Sequence, residues 1–176
     1  MKIVLTGFMG TGKSVVGRRL AERLGLSFLD LDDLIEKAAG MAIPEIFASE
    51  GESGFRRRER EVIASLATHR DCVIATGGGA VLDPENVRNL KTRAVIVCLR
   101  ADPTIILERI GADAHRPLLQ GPDRLARIRE LLEQRASAYA QADFSVETGK
   151  FDLEEIVDRI VRHFHLEPIR TMGTGR

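Results

Sequence analysis

The chain has 176 residues, of which 44% are hydrophobic and 30% are charged, as is typical of a globular domain with one substantial core. Its 26 basic and 26 acidic residues cancel, so no overall charge draws it to nucleic acid or to an acidic membrane. No apolar run approaches the roughly 18 residues that cross a bilayer, and the N-terminal MKIVLTGFMG is too short and too interrupted by glycine for a signal peptide.

Strands and helices are predicted to alternate along the chain. Short apolar runs that stop at turn residues predict strands, and segments with apolar residues at helical spacing predict helices. The predicted strands are residues 2–6, 27–29, 72–75, 94–99 and 144–146. The predicted helices are residues 14–24, 32–39, 43–49, 52–69, a short one from Pro84, 103–110, 123–141 and 152–165.

This order predicts an α/β fold of three layers, with a five-stranded parallel sheet between two layers of helices. The strands are apolar throughout, as expected of parallel strands buried on both faces. Since the sequence has no repeat, linker or composition shift, residues 1–167 are predicted to form one domain, followed by a mobile tail over 168–176. Ligands of such folds bind at the carboxyl ends of the strands.

The first predicted strand is followed by GFMGTGKS, residues 7–14, which matches the phosphate-loop pattern G-x-x-x-x-G-K-[ST] in full. The glycines allow successive backbone N–H groups to wrap a phosphate chain. Lys13 supplies a charge for the β- and γ-phosphates of a nucleoside triphosphate, and the Ser14 hydroxyl is a ligand for Mg²⁺. The pattern therefore predicts a P-loop nucleotide-binding protein.

Phosphate loops serve GTPases, ATPases and kinases alike. A GTPase is disfavoured because the sequence has no N-K-x-D segment that would read guanine. A mechanochemical ATPase is disfavoured because the strand that ends at Ala75 carries no acidic residue. These absences favour a kinase that acts on a small molecule.

Two acidic residues follow the second predicted strand. Asp30 and Asp32 are predicted to lie on extended chain with both carboxylates on the same side. Phosphate transfer has a use for two acids, one that helps to hold Mg²⁺ through water and one that accepts a hydrogen bond from the attacking hydroxyl. One Asp would suffice to cap the next helix, so at least one of the two is predicted to be functional.

Further candidate binding residues, which are arginines and a run of glycines, occur later in the sequence. Phe55 and Arg56 set an aromatic beside a cation at the start of a charged helix, whose other arginines are predicted to be a solvated face. Residues 77–79 are three glycines at the end of a strand, where bare backbone permits close approach of a ligand. Residues 111–121 form a loop long enough to be a lid, and its Arg116 is predicted to neutralise charge on the γ-phosphate.

Cys72 and Cys98 lie in apolar runs, with no second Cys or His at metal-ligand spacing. They are predicted to be two buried thiols in a reducing compartment, which favours the cytoplasm. The neutral, self-contained chain gives no reason to expect more than a monomer.

The set GFMGTGKS, FLDLD, GESGFR, GGGA, RPLL and a later arginine before Ala-x-x-Tyr resembles the shikimate kinase family, in order and at similar spacing, from residue 1 to about 165. The resemblance implies a P-loop fold like that of nucleoside monophosphate kinases. It also implies transfer of phosphate from ATP, with Mg²⁺, to the 3-hydroxyl of shikimate, on the route to chorismate and the aromatic amino acids.

The resemblance also implies a role for individual residues of this sequence. Lys13, Asp32 and Arg116 would be catalytic, Ser14 would ligate Mg²⁺, and Asp30 would support it through water. Those implied for ATP are Gly10, Thr11, Gly12, Lys13, Ser14, Arg109 against the adenine, and Arg116. Those implied for shikimate are Asp32, Arg56, Gly78, Gly79, Arg135, Phe47 and Phe55, with Glu59 behind Arg56. Residues 147–152, where the family closes over adenine, carry no assignment.

Three alternatives stay open at this point. A kinase of the same build could act on gluconate, quinate or an aminoshikimate, all of which present a carboxylate and hydroxyls. A nucleoside monophosphate kinase would use arginines to grip a phosphate and would have less use for Asp32. A catalytically silent nucleotide-binding protein is disfavoured because Lys13, Asp32 and Arg116 are all intact.

Overall fold

The computed structural model describes residues 1–111 and 123–168, and its elements follow the order predicted from the sequence. The strands are β1 (Lys2–Thr6), β2 (Ser27–Asp30), β3 (Cys72–Ala75), β4 (Val95–Arg100) and β5 (Phe144–Glu147). The helices are α1 (Lys13–Leu24), α2 (Leu31–Ala39), α3 (Ile43–Ser65), α4 (Pro84–Lys91), α5 (Pro103–Ile110), α6 (Arg124–Gln134), α7 (Ala136–Tyr139) and α8 (Leu153–His163). Short 3₁₀ turns cover Leu66–Thr68 and Ala80–Leu82.

The five strands form one parallel sheet in the order β2-β3-β1-β4-β5, which confirms the predicted sheet. β1 lies at the centre, where Val4 is in register with Ile74 of β3 and Ile96 of β4. All five residues of β1 are buried. The loop after β1 therefore emerges at the middle of the edge where the strands end, which is where ligands of parallel sheets bind.

Side chains alternate between the two faces of the sheet, and helices cover both. Val4 joins a cluster with apolar residues of α2, α3 and α4, whereas Ile3 and Leu5 pack with α1 and α8. A third, smaller cluster joins Phe8 of the first loop to α5 and α6. The predicted three-layer arrangement is thus confirmed.

One helix prediction is confirmed and one needs correction. The helices predicted at 43–49 and 52–69 are two helical segments within α3, and they meet at Gly51, where the chain leaves helical geometry (φ 70°, ψ −175°). Glycine adopts this φ at little cost, so the chain bends and resumes its helix. The helix predicted over 123–141 is interrupted at Arg135 (φ −99°, ψ 0°), which separates α6 from α7.

Both cysteines are buried and unbonded to each other, as predicted. Burial raises the pKa of each thiol, to about 11 for Cys98, so both stay protonated at neutral pH. In the part of the chain that the structure covers, no helix combines the length and the apolar character needed to span a membrane.

Candidate functional site

The phosphate loop joins β1 to α1 and turns on glycines with positive φ. Gly7, Gly10 and Gly12 have φ of 134°, 76° and 91°, values that other residues rarely adopt. A methyl group on Gly7 would also lie 2.2 Å from the carbonyl oxygen of Leu99. Since α1 begins directly after Gly12, the positive end of its dipole meets the loop. The loop is therefore suited to an anionic chain such as the phosphates of a nucleotide.

The Lys13 ammonium group is folded over this loop. Its Nζ donates to the carbonyl oxygens of Gly7 at 2.9 Å and Phe8 at 2.8 Å. Thr11 Oγ1 donates to the same oxygen of Phe8 at 2.7 Å and closes the turn from inside. A cavity of about 270 Å³ opens beside Lys13 and reaches Asp32 and the glycines after β3. The lysine charge thus borders the space in which phosphates and an acceptor would meet.

The two acids after β2 do not form the extended pair that the sequence predicted. β2 ends at Asp30 and α2 begins at Leu31, so Asp30 caps the helix and Asp32 lies in its first turn. Asp30 Oδ1 accepts from the Asp32 N–H at 3.1 Å, and Asp30 Oδ2 accepts from Ser14 Oγ at 2.7 Å. As the helix cap, Asp30 therefore points toward Ser14 of α1, whereas the side chain of Asp32 projects from the first turn of α2.

Ser14 and Asp30 together are suited to a magnesium ion. Mg²⁺ prefers oxygen ligands, keeps several waters, and is commonly bound by one or two protein groups plus the phosphates of a substrate. Within residues 1–111 and 123–168, no three His, Cys, Asp or Glu side chains cluster as a separate metal site. The Ser14 hydroxyl and the Asp30 carboxylate are oxygen donors of the kind that Mg²⁺ prefers, and these two residues would hold it.

Asp32 is half-buried beside the glycines that follow β3. A methyl group on Gly77 would lie 3.2 Å from Asp32 Oδ1. Burial raises the pKa of Asp32 above its usual value of 3.8, and the charge of Asp30 raises it further, whereas Lys13 lowers it. A carboxylate with a raised pKa is a stronger proton acceptor than an ordinary aspartate.

The backbone of residues 77–79 lies among groups from three other elements. A methyl group on Gly79 would lie 2.7 Å from Arg56 Nη2, and Arg135 Nη1 donates to the Gly78 carbonyl oxygen at 3.4 Å. The absence of a side chain at Gly79 lets the guanidinium group of Arg56 lie close to the backbone. The triple glycine thus brings Asp32, Arg56 and Arg135 around one stretch of bare backbone.

Arg56 is held by a buried carboxylate. Its Nη1 donates to Glu59 Oε2 at 2.8 Å, and Glu59 is only 1% exposed. Burial raises the pKa of Glu59, and the Arg56 charge opposes that shift. The Arg56 guanidinium lies 5.1 Å from the ring centre of Phe55, which stacks on Phe47 at 4.9 Å. Glu59 thus orients the cation, and the two rings form an apolar wall next to it.

Arg135 is a buried cation. It is 6% exposed, its guanidinium lies 5.5 Å from the ring centre of Phe8, and no Asp or Glu of residues 1–111 or 123–168 lies within ion-pair distance of it. A buried charge is costly unless an opposite charge accompanies it. The position therefore suits an anionic group of a ligand that enters between Phe8 and the triple glycine.

Arg109 lies between the phosphate loop and the end of β5. Its Nη1 and Nη2 donate to Thr148 Oγ1 at 2.9 Å and Thr148 O at 2.7 Å, and Nη1 also approaches Gly10 O at 3.4 Å. Thr148 is buried, and its Oγ1 donates to Arg100 O at 3.2 Å. Sequence analysis missed Thr148 because no motif marks it; its place just after a strand was the one available signal.

The remaining arginines in the second half of α3 pair with acids near the surface. Arg58 Nη2 and Arg57 Nη2 donate to Glu50 at 2.6 and 2.9 Å, and Arg60 Nη1 lies 3.4 Å from Asp83 Oδ2. Arg116 and the predicted lid beyond Gly111 lie outside the described residues, as does the predicted tail beyond Pro168.

Comparisons with known sequences point to one family. The family model for shikimate kinase matches residues 9–165. The chain is 48% identical to the shikimate kinase of Thermodesulfovibrio yellowstonii over 162 residues, which are 92% of this chain and 94% of that protein. It is 50% identical to the shikimate kinase of Desulforudis audaxviator over 159 residues, 90% of this chain and 84% of that protein.

A solved structure extends the likeness to three dimensions. The structure of shikimate kinase from Acinetobacter baumannii in complex with shikimate superposes with a TM-score of 0.88 at 40% identity. The superposition covers 93% of this chain and 92% of that one.

Proposed function

The chain belongs to the shikimate kinase family, and we propose that its site transfers the γ-phosphate of Mg-ATP to the 3-hydroxyl of shikimate. The chain is a phosphotransferase that acts on shikimate, and its family uses ATP as the phosphate donor. The observation that carries the proposal is the arrangement of Asp32, Arg56 and Arg135 around residues 77–79, next to Lys13.

The phosphate loop binds the donor. Backbone N–H groups of the loop and the α1 dipole hold the phosphates, and Lys13 exchanges its loop carbonyls for β- and γ-phosphate oxygens. Ser14 and Asp30 would hold Mg²⁺, which would supply positive charge that neutralises the phosphates. Arg109, fixed by Thr148, lies against the adenine, and Arg116 neutralises charge on the γ-phosphate.

The groups around residues 77–79 bind the acceptor. Arg56 and Arg135 bind its carboxylate, and two guanidinium groups fix the orientation of the ring. The backbone of Gly78 and Gly79 holds a ring hydroxyl, and Phe47 with Phe55 covers the apolar side. These contacts fix the 3-hydroxyl in line with the γ-phosphate.

Asp32 receives the hydrogen bond of the attacking hydroxyl. The hydroxyl oxygen forms a bond to the γ-phosphorus, the bond to the β–γ bridging oxygen breaks, and ADP leaves with that electron pair. The proton of the hydroxyl passes to Asp32, whose raised pKa suits it to accept a proton.

Turnover with a panel of acceptors tests the substrate. We expect ADP release with shikimate to give a higher kcat/KM than with quinate, gluconate or AMP under identical Mg-ATP, because Asp32 and the two arginines match one carboxylate and a set of hydroxyls. A coupled assay measures release, with the Lys13→Ala protein as the background control. Turnover of another acceptor without turnover of shikimate would overturn the proposal, and no turnover at all would favour the silent nucleotide-binding protein.

The role of Arg135 is tested by its removal. We expect Arg135→Ala to raise the KM for shikimate about tenfold or more, since charge-assisted hydrogen bonds to the carboxylate are lost. The KM for ATP should stay within about twofold. Arg135→Lys should give an intermediate KM for shikimate, because lysine keeps the positive charge but lacks the paired N–H donors of the guanidinium group. Arg129→Ala, which removes an exposed arginine from α6, the helix that ends directly before Arg135, is the matched control. A KM for shikimate equal to that of wild type would contradict the role.

The remaining proposals concern the whole chain. We infer that residues 1–167 form one domain with a lid near 111–121, and that the protein acts as a cytoplasmic monomer that binds no nucleic acid. Two buried, unbonded thiols support a reducing compartment, and zero net charge supports the absence of a nucleic-acid partner. Sedimentation velocity at assay concentration tests the monomer, and a dimer would contradict it.

A further inference from the structure

Tyr139 lies one helical turn after Arg135, and its side chain contacts the three glycines of residues 77–79, about 60 residues earlier in the sequence. The Tyr139 N–H donates to Arg135 O at 3.0 Å, so the two side chains share one face of the helical segment. Tyr139 is 9% exposed, and its hydroxyl donates to Gly78 O at 2.7 Å. Burial raises its pKa, so the phenol remains a donor through the neutral range.

The Gly78 carbonyl oxygen therefore has two side-chain donors. Tyr139 Oη is at 2.7 Å and Arg135 Nη1 is at 3.4 Å, and both lone pairs of the oxygen are engaged. The C=O of Gly78 and the N–H of Gly79 belong to one planar trans peptide, so they point in opposite directions. Fixing the carbonyl toward Tyr139 consequently fixes the direction in which the Gly79 N–H can donate.

The glycine loop has few other anchors. The 3₁₀ turn that follows it contributes Ala80 N–H to Gly77 O at 3.2 Å and Leu82 N–H to Gly79 O at 3.0 Å. Neither the Gly78 nor the Gly79 N–H donates to any acceptor in residues 1–111 or 123–168. Without side chains of its own, this stretch depends on Tyr139 to hold the peptide between Gly78 and Gly79.

Tyr139 also affects Arg135 through the shared oxygen. If the phenol were absent, the Gly78 carbonyl would have the Arg135 guanidinium as its remaining side-chain donor, and the 3.4 Å contact would tighten. A guanidinium drawn onto a backbone carbonyl is displaced from the cavity where it would meet a carboxylate. The Tyr139 hydroxyl thus shares the Gly78 carbonyl oxygen with Arg135 and limits how closely the guanidinium approaches it.

We propose that Tyr139 is a positioning residue for the acceptor, whose hydroxyl holds the Gly78 carbonyl and thereby sets both the direction of the Gly79 N–H and the place of the Arg135 guanidinium. This inference rests on the proposed function, because it assumes that the cavity beside residues 77–79 receives the acceptor. It assigns to Tyr139 no contact with either substrate.

Tyr139→Phe tests the inference, since it removes the hydroxyl and keeps the buried ring. We expect the KM for shikimate to rise about fivefold, the loss of one buried hydrogen bond, while the KM for ATP stays within about twofold. Amide hydrogen exchange of the peptide that covers residues 76–82 should become faster. Ile160→Val on α8, a core change on the other face of the sheet, is the control for a general loss of stability and should change neither readout.

Two results would overturn the inference. One is a KM for shikimate within twofold of wild type, or one that changes only in step with the KM for ATP; the other is unchanged exchange over 76–82. The test is distinct from that of the proposed function. If wild type phosphorylates a different acid from the panel, the substrate assignment fails and the same KM comparison is made with that acid. If wild type phosphorylates none, exchange alone decides whether Tyr139 holds the loop.

Discussion

Lys13→Ala is expected to lower kcat by about 100-fold or more, because the positive charge of the ammonium group stabilises the phosphoryl group during transfer. The group lies at the phosphate loop, where it donates to Gly7 O and Phe8 O. Its charge therefore lies beside the loop before the reaction begins, and alanine supplies no charge in its place. Steady-state kinetics with saturating shikimate and varied Mg-ATP measure the loss.

The structure offers a matched control for this substitution. Lys91→Ala removes an exposed lysine at the end of α4 and should leave kcat unchanged. Thr11 still closes the loop through Phe8 O in the Lys13 variant, so the fold of the loop should survive, and the melting temperature should stay within a few degrees of wild type. A kcat within about tenfold of wild type would contradict the role assigned to Lys13.

The site gathers positive charges in a protein whose net charge is zero. Lys13, Arg56, Arg109 and Arg135 border the loop and the triple glycine, and the buried acid Glu59 orients one of them. A diffuse positive field would attract any polyanion, whereas separately fixed cations recognise the spacing of a particular ligand. The net charge of the protein therefore does not indicate which ligand it binds, whereas the position and the partner of each cation do.

Much of the fold was readable from the sequence because its signals are local. Apolar runs gave the strands, and the phosphate loop carries its glycines and Lys13 within eight consecutive residues. The geometry of Asp30 and Asp32 was predicted wrongly, because the helix starts one residue earlier than the sequence indicated and Asp30 became its cap. A single residue at a helix start decides which way a side chain points.

The contacts that sequence could not supply join distant parts of the chain. Tyr139 and Gly78 are 61 residues apart, and Arg109 and Thr148 are 39 apart. Tyr139 ends the Ala-x-x-Tyr segment that contributes to the family resemblance, and Thr148 belongs to no motif, but neither position indicates a partner for its hydroxyl. The sheet order brings these pairs together, and only a three-dimensional structure reveals them.

Asp32→Asn is expected to lower kcat by about 100-fold or more, because the amide keeps the size of the carboxyl group and cannot take the proton of the attacking hydroxyl. In wild type, kcat/KM should fall on acidification, as Asp32 becomes protonated at a pKa above the usual 3.8. The residual activity of the variant should lack this acidic limb. Asp33→Asn, an exposed neighbour in the same turn, is the matched control: it should keep kcat and move the limb to lower pH, because the Asp33 charge helps to raise the pKa of Asp32.

Stability separates this loss of activity from misfolding. Because the folded protein raises the pKa of Asp32, it binds that proton more tightly than the unfolded chain does. The resulting stabilisation is present below the unfolded pKa and is lost as pH rises through the folded pKa. At neutral pH the ionised Asp32 therefore lowers the free energy of unfolding, and Asp32→Asn should melt at the same temperature as wild type or higher. A variant that is inactive and also melts lower would point to a structural role, and one with kcat within about tenfold of wild type would rule out Asp32 as the group that takes the proton.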